Sequence, residues 1–567
     1  MDRITENLLA EFVADHGLSR LTDSDAFERF ANFCVVSREY SETFEVEDVS
    51  GPGQEVGIDG LAIIANGVLV TSPEEVEGLG AQNGFLEVTF IFVQAKRSGS
   101  FSEAAIGTFA LAVKDFFSAS PDLPQTDFIA HYGEIRDAVF RESPRFSRGK
   151  PHCHLSYVTS GKWLDDPVVN TRIATEVRDL EALDLFSTVE LRPIGSDTLQ
   201  QLYYRTKNPV EGEFSFRQRV TLPEIPGVSE AYLGVMPAPE YLKMITDDSG
   251  QIRRSLFDDN VRDFQGQTIV NRNIADTLRS SHSERFAVLN NGVTIVAREL
   301  RITGDKLFMK DYQVVNGGQT SHVLFNESDE LTEAIHVPVK VISTDDEDLT
   351  TAVIQATNNQ TAIKSEELNA RADFERKLER FFETYGGSRS LFYERRSRQY
   401  TGDQTIEKTR VITRQQLVRA FASMFLDEPH RATGYVPALM GQLGAQLFNR
   451  DHAIEPYYAS AYGYYKLEFL WRNREFDPKF KPARWQLLMA ARHVAVEGDL
   501  PPLNSRKVAE VGNRLLSELS DDSRALQLFE RSAQVVTAST SDVLERDAMR
   551  NQQTTADVLA SLATPAR

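Results

Sequence analysis

Three polar side chains stand at the ends of two apolar runs. Asp59 closes the turn Gly57-Ile58-Asp59-Gly60 ahead of the run 61–64, and Gln94 and Lys96 end the run 90–93. A run of aromatic and β-branched residues predicts a buried strand. Side chains alternate along a strand, so Gln94 and Lys96 share one face and Ala95 points to the other. Pairing of the two runs would bring Asp59 beside both. A hard cation such as Mg²⁺ takes carboxylate, carbonyl and water oxygens. Asp59 brings the charge, and the Gln94 side chain and Ala95 carbonyl bring neutral oxygens. Lys96 would orient or deprotonate an attacking water and stabilise the charge that develops on the phosphoryl oxygens. The ordinary alternative is a capped turn and a solvated strand end, and a lone Asp with a lone Lys signals no more than that.

Together these residues resemble the PD-(D/E)XK nuclease superfamily, in particular its Mrr-type restriction branch, whose third strand ends in Gln-x-Lys. The resemblance implies a restriction-endonuclease-like fold, a Mg²⁺ or Mn²⁺ cofactor, and Asp59 and Gln94 as metal ligands. It also implies a glutamate on the preceding helix, and Glu28 in Asp25-Ala26-Phe27-Glu28-Arg29-Phe30 offers one. Two departures stand out. Asp59 and Gln94 are 35 positions apart, so the acidic stretch 72–84 is expected to be an insertion. Gln94 also replaces the commoner acid, leaving one fewer charge for a metal.

A chain of 567 residues, 41% hydrophobic and 26% charged, should form two to four soluble globular domains. No apolar run approaches membrane-span length, and the start Met1-Asp2-Arg3-Ile4-Thr5-Glu6 does not read as a signal peptide. Cys34 and Cys153 are the only cysteines, which excludes a disulfide framework or cysteine zinc site and fits a reducing cytoplasm. The formal charge of −21 argues against a general nucleic-acid coating protein, but a nuclease needs a basic cleft alone. From Arg371 to Arg419 there are 12 basic against 7 acidic residues, a local excess in an acidic chain.

The expected architecture is α/β multidomain. Residues 1–215 form the nuclease-like mixed sheet flanked by helices, 216–430 an α+β middle domain, and 431–567 a mostly helical region. In the first domain helices are predicted at 4–15, 24–37 and 101–117, and strands at 43–49, 61–65, 85–95, 155–159 and 187–193. The Pro-rich passage 222–227 marks a change of organisation. Helical periodicity returns at 481–496, 505–518 and 522–536, and the polar residues from Asn551 onward are expected to fray. His152-x-His154 lacks a third ligand and is not expected to bind metal.

Four segments of the middle region carry polar motifs. They are Leu256-Phe257-Asp258-Asp259-Asn260-Val261-Arg262-Asp263-Phe264, Asn290-Asn291-Gly292 before a strand, Gln313-Val314-Val315-Asn316-Gly317-Gly318-Gln319-Thr320-Ser321, and Thr357-Asn358-Asn359-Gln360 with Tyr393-Glu394-Arg395-Arg396. In this order they resemble the AIPR family, the abortive-infection phage-resistance proteins, over roughly 215–430. That resemblance implies defence against phage and permits an N-terminal Mrr-like nuclease, but carries over no reaction. Read from the residues, Asn316, Gln319, Thr320 and Ser321 stand where a strand, a glycine turn and a helix start meet, which is either an anion site or a capped helix. Asn358 and Asn359 would read a base or ribose, or satisfy loop backbone. Arg395, Arg396 and Arg398 beside Phe392 and Tyr393 would grip phosphate while the rings stack on bases, or form a solvated basic face.

The expectation is an antiphage effector that cleaves DNA, or RNA, with Mg²⁺ or Mn²⁺. Its expected partners are nucleic acid and a phage trigger or defence-system protein, with no membrane; self-association stays open. The alternative is a catalytically inactive sensor or scaffold that binds nucleic acid or nucleotide.

Overall fold

In the computed structural model the chain is described except at residues 41, 54–55, 148, 208–209, 247–251, 258–268, 359–361, 396–398, 401–402, 404, 497, 541–543 and 564–567. The chain is α/β with mixed sheets.

The run 61–64 lies in β1 (Gly60–Ala65), which turns through Asn66-Gly67 into β2 (Val68–Val70). Both turn residues have positive φ, 48° and 75°, the geometry that lets a two-residue hairpin follow the strand twist. β1 also pairs antiparallel with β3 (Val88–Lys96), Gly60 opposite Val93. β4 (His152–Thr159) and β5 (Thr188–Ile194) continue the sheet in parallel, giving the order β2-β1-β3-β4-β5. Parallel neighbours need crossovers. Here these are α4 (Glu103–Phe116) with α5 (Asp127–Arg141), and α6 (Pro167–Glu181). The hairpin, with α1 (Arg3–Asp15), α2 (Asp23–Glu39) and α3 (Pro73–Asn83) before and after it, and α7 (Ser196–Lys207), complete the unit.

The alternation of β3 builds a core on each face. Phe90 and Phe92 join Ile106, Phe109 and Phe116, while Ile91, Val93 and Ala95 join Phe27, Phe30 and Leu199. Burying a large apolar side chain contributes about 1.5–3 kcal/mol, so a strand apolar on both faces is strongly held.

A second sheet follows: β6 (Glu211–Ser215), β7 (Gln218–Thr221), β8 (Glu230–Pro237), β9 (Val293–Thr303), β10 (Lys306–Asn316) and β11 (His336–Ser343). Its order is β6-β10-β9-β11-β8-β7, with only β9 and β11 parallel. Around it lie α8 (Ala238–Ile245), α9 (Ile269–Arg279), α10 (Phe286–Leu289), α11 (Gly318–Asn326) and α12 (Glu347–Asn358). The second sheet has its own core, and a further, helical core runs from Phe374, in α13 (Ala362–Phe382), to Val558. It takes in α14 (Arg414–Phe425) and the helices Glu455–Arg472, Arg484–Ala495, Arg506–Leu519, Asp522–Thr540 and Gln552–Ala563. The last of these spans residues expected to fray. It forms because Val558 is fully buried against the helical core and Thr555 Oγ1 meets His430 Nδ1 at 3.2 Å.

The strand expected at 43–49 is absent; Val46–Asp48 is a short 3₁₀ turn instead. Its acids follow guanidinium groups rather than a ladder. Glu45 lies 3.4 Å from Arg472, Glu47 3.4 Å from Arg29, and Asp48 3.6 Å from Arg484. The expected insertion at 72–84 proves to be α3, and it too is acidic at its start. Glu75 pairs with Arg419, Glu74 with Arg550, and Ser72 Oγ donates to the Thr433 carbonyl at 2.9 Å. With Asp25–Arg474 at 3.4 Å, all of these pairs but Glu47–Arg29 form a seam between acids of the N-terminal unit and arginines of the helical region. Burial pushes the Glu45 carboxyl up, opposed by Arg472. No helix among the described residues is long and apolar enough to cross a membrane.

Candidate active site

The β1–β3 ladder extends one residue past β1. The Asp59 N–H donates to the Val93 carbonyl at 2.8 Å, which sets Asp59 level with the end of β3. Its Oδ2 accepts the Ala95 N–H at 2.8 Å and lies 3.4 Å from Lys96 Nζ. Asp59 is 8% exposed, whereas the Lys96 side chain is 40% exposed and reaches solvent. Thus one carboxylate, a backbone amide and an ammonium converge at the strand end. Gln94 follows Phe92 on the α4 side of the sheet and is buried. Its Oε1 is buried and has no hydrogen-bond partner among the described residues. An orphaned buried acceptor costs about 1–3 kcal/mol, which an approaching cation or donor would offset.

Glu28 projects half-buried from α2. Burial pushes its carboxyl up to about 7, the nearby Asp59 charge adds to that, and Lys96 and Arg29 oppose it. Glu28 therefore shares the electrostatic field of Asp59 and Lys96. Among the described residues no group of three or more His, Cys, Asp or Glu gathers as a metal set. The donors present are two acids and a neutral amide oxygen, a set that fits a hard cation keeping several of its waters. His152 and His154 take other partners: Thr188 Oγ1 at 2.7 Å and Glu39 at 3.6 Å.

Sequence reading missed Asn32 and Tyr157. Asn32 is fully buried, and its Nδ2 donates to Ser50 Oγ and the Asp59 carbonyl, both at 3.0 Å, so it pins the turn that carries Asp59. A Cβ on Gly60 would lie 2.3 Å from Asn32 Oδ1. Gly60→Ala is therefore expected to displace Asn32 and destabilise the protein by about 1–3 kcal/mol, read as a lower urea midpoint. An unchanged midpoint would mean that Asn32 does not hold the turn. Tyr157 is buried in register with Gln94, and burial, then Asp59, raise its hydroxyl. An Asn in an amphipathic helix and a Tyr in a strand carry no spacing signal.

In the second unit the Asn316–Ser321 turn is internally bonded. Gly317 takes φ 95°, its N–H donating to Asn316 Oδ1 at 2.8 Å. Thr320 Oγ1 lies 3.2 Å from Asn290 Nδ2, Ser321 Oγ 2.6 Å from the Tyr241 hydroxyl, and Gln319 Oε1 accepts from Asn271 at 2.8 Å. The structure thus brings Asn290 and Asn271 to this turn, far from the Asp59 centre in sequence and on another sheet. Asn359, Arg396 and Arg398 lie outside the described residues, as do the Asn358 side chain and Asp258–Phe264. Arg395 pairs with Glu379 at 3.1 Å. Tyr393, expected to stack on a base, is instead fully buried in the helical core. The basic excess from Arg371 to Arg419 is largely occupied: Arg414 reaches Glu375 at 2.6 Å, Arg410 reaches Glu407 at 2.8 Å, and Arg419 enters the seam.

A family model described as AIPR protein matches residues 257–466. The match starts beside the second sheet and ends inside the helix Glu455–Arg472, so it spans the end of one core and the beginning of the next. No curated protein and no solved structure matches the chain. Residues 257–466 are thus similar to the AIPR family.

Proposed function

We propose that the chain is an effector of antiphage defence, of the abortive-infection kind, whose N-terminal unit is an Mrr-like nuclease. Its reaction is metal-dependent hydrolysis of phosphodiester bonds in DNA, with RNA as the other substrate to be tried. The family match supports the defence role. The order β2-β1-β3-β4-β5, antiparallel on one side of β3 and parallel on the other, supports the restriction-endonuclease-like reading. The observation that carries the reaction is the approach of Asp59 to Lys96 at the end of β3, with the buried, partnerless Gln94 oxygen two residues before Lys96 on the same strand.

In this reading Asp59 and Gln94 would hold a Mg²⁺ or Mn²⁺ ion, with Glu28 as the second acid. When bound, such an ion supplies Lewis-acid charge and lowers the pKa of a bound water. Lys96 orients the attacking water and offsets the charge gathering on the phosphoryl oxygens. Glu28, half-buried on α2 in the field of Asp59 and Lys96, would complete the acid set around that ion. The test is cleavage of plasmid, phage DNA and RNA by the whole chain with Mg²⁺, with Mn²⁺ and with chelator. Cutting that chelator abolishes supports the reading; no cutting under any condition, phage DNA included, counts against it. Gln94, standing where the superfamily commonly has an acid, supports one alternative, a binding scaffold without catalysis. Nucleic acid bound but never cut is its signature.

Glu28 gives a second check that needs no cleavage. Its folded pKa of about 7 exceeds the ordinary value of 4.5. Protonation thus favours the folded state, a contribution complete below about pH 4.5 and lost as the pH rises through about 7. Glu28→Gln, a neutral look-alike, should raise the urea midpoint above wild type at pH 8–9 and converge with it near pH 5. A midpoint difference that ignores pH would remove Glu28 from this electrostatic cluster.

A further inference from the structure

β3 and β4 run parallel and end level, Lys96 beside Thr159. The loops that follow are locked together. The Ser160 N–H donates to the Ser98 carbonyl at 3.2 Å, and Ser160 Oγ donates to the Arg97 carbonyl at 2.6 Å. A Cβ on Gly161 would sit 1.9 Å from the Gly99 carbonyl oxygen, so the two backbones touch where only glycine fits. On its other side Gly161 accepts from the Ser196 N–H at 2.8 Å, and a Cβ on Gly195 would lie 2.5 Å from the Trp163 nitrogen. The Trp163 ring packs edge-on against Phe101 at 4.7 Å. A braced platform therefore rises beside the Asp59–Lys96 centre.

Its tip is Leu164, 82% exposed, with Val168 behind it at 58%. A mobile loop would fold such a leucine away, but here the backbone is held on both sides. The acids that follow are engaged by their own α6 segment. Asp165 accepts from Asn170 Nδ2 at 2.7 Å, and Asp166 caps α6 through the Val168 N–H at 2.8 Å. The stretches 94–102 and 159–164 contain Lys96, Arg97 and Lys162 and no acid, in a chain of net charge −21. Lys162 meets Asp197 at 3.5 Å and Arg97 meets Asp23 at 2.7 Å, each in an exposed pair that a phosphate can replace. Cations flanking an apolar point are the chemistry of a side chain that enters a base step while its neighbours hold the backbone. A protein interface would call for a broader apolar core.

We propose that Leu164 is a wedge that enters the base stack of duplex DNA, with Lys162 and Arg97 on the adjoining phosphates and the scissile phosphodiester at Asp59 and Lys96. The wedge rests on the phosphodiester reading of that centre, and its test separates the two. Full-length protein is mixed without metal with duplexes carrying 2-aminopurine at successive positions, whose fluorescence rises on unstacking. Wild type, Asp59→Asn and Leu164→Phe are expected to brighten the probe at one or two positions. Leu164→Ala should not, and its affinity should fall about tenfold. A rise that persists in Leu164→Ala, or no rise with wild type, overturns the wedge even if cutting is intact. A Leu164-dependent rise in a protein that cuts nothing keeps the wedge and removes the nuclease. Brightening of RNA duplexes alone overturns the assignment to DNA, and Leu164-dependent self-association without DNA reassigns the tip to a protein contact.

Discussion

Asp59→Asn is expected to fold like wild type and to lose at least roughly a thousandfold in metal-dependent cleavage. Asparagine is the sharper probe than alanine. Asp59 Oδ2 accepts the Ala95 N–H, and alanine would leave that buried donor without this acceptor at about 1–3 kcal/mol, confusing lost chemistry with lost structure. Asparagine retains an acceptor and removes the charge. Lys96→Ala should lose roughly a hundredfold or more while still binding nucleic acid, because its ammonium acts mostly as charge develops. The measurement is plasmid nicking with Mg²⁺ alongside a thermal melt of each variant. One further reading ties the result to the site. The Asp59 charge helps to raise the Glu28 pKa, so Asp59→Asn should lower it. Cleavage by both variants at the wild-type rate would place the chemistry elsewhere in the chain.

The second large effect is on stability. Glu75 is buried and Arg419 mostly so, their side chains 5% and 13% exposed, and each belongs to a different unit. Removing one member of a buried ion pair typically costs about 3–5 kcal/mol, because the remaining charge is left in a poor solvent. Arg419→Ala is therefore expected to loosen α3 from the helical region and to lower stability by about 3 kcal/mol. Limited proteolysis should then cut near residues 72–84 well before it cuts wild type. The double change Arg419→Met with Glu75→Leu, which removes both charges and fills the space, should restore most of the loss. If Arg419→Ala melts and digests like wild type, the seam is a surface contact without energetic weight.

The parts of the fold legible in the sequence are those with strong local patterns. The two-faced apolar strand at Phe90–Val93, the helices at 4–15 and 24–37 and the three late helices all announce themselves by period. The approach of Asp59 to Lys96 was also legible, since both stand at the ends of apolar runs that bury themselves by pairing. Other features depend on partners distant in sequence. Residues 43–49 alternate like a strand, yet their acids are claimed by Arg472 and Arg484, more than 400 positions away, which no window reveals. The terminal helix Gln552–Ala563 looks polar and is held by a handful of residues such as Val558. Asn32 was illegible because its role is to fill the space that Gly60 leaves.

The seam also orders events in time. Glu75 and Arg419 are separated by 344 positions. At roughly 5–20 residues per second, about 20–70 s of translation pass between them. Within that interval the N-terminal unit is finished once Lys207 is made, while its acids at Asp25, Glu45, Glu74 and Glu75 are bare and their answering arginines do not yet exist. A nascent unit so charged is repelled from its neighbours on the polysome and from the RNA that threads it. The arginines that later cover those acids make assembly the last step of synthesis, so that a truncated product would carry the candidate centre with the acids of the seam unanswered.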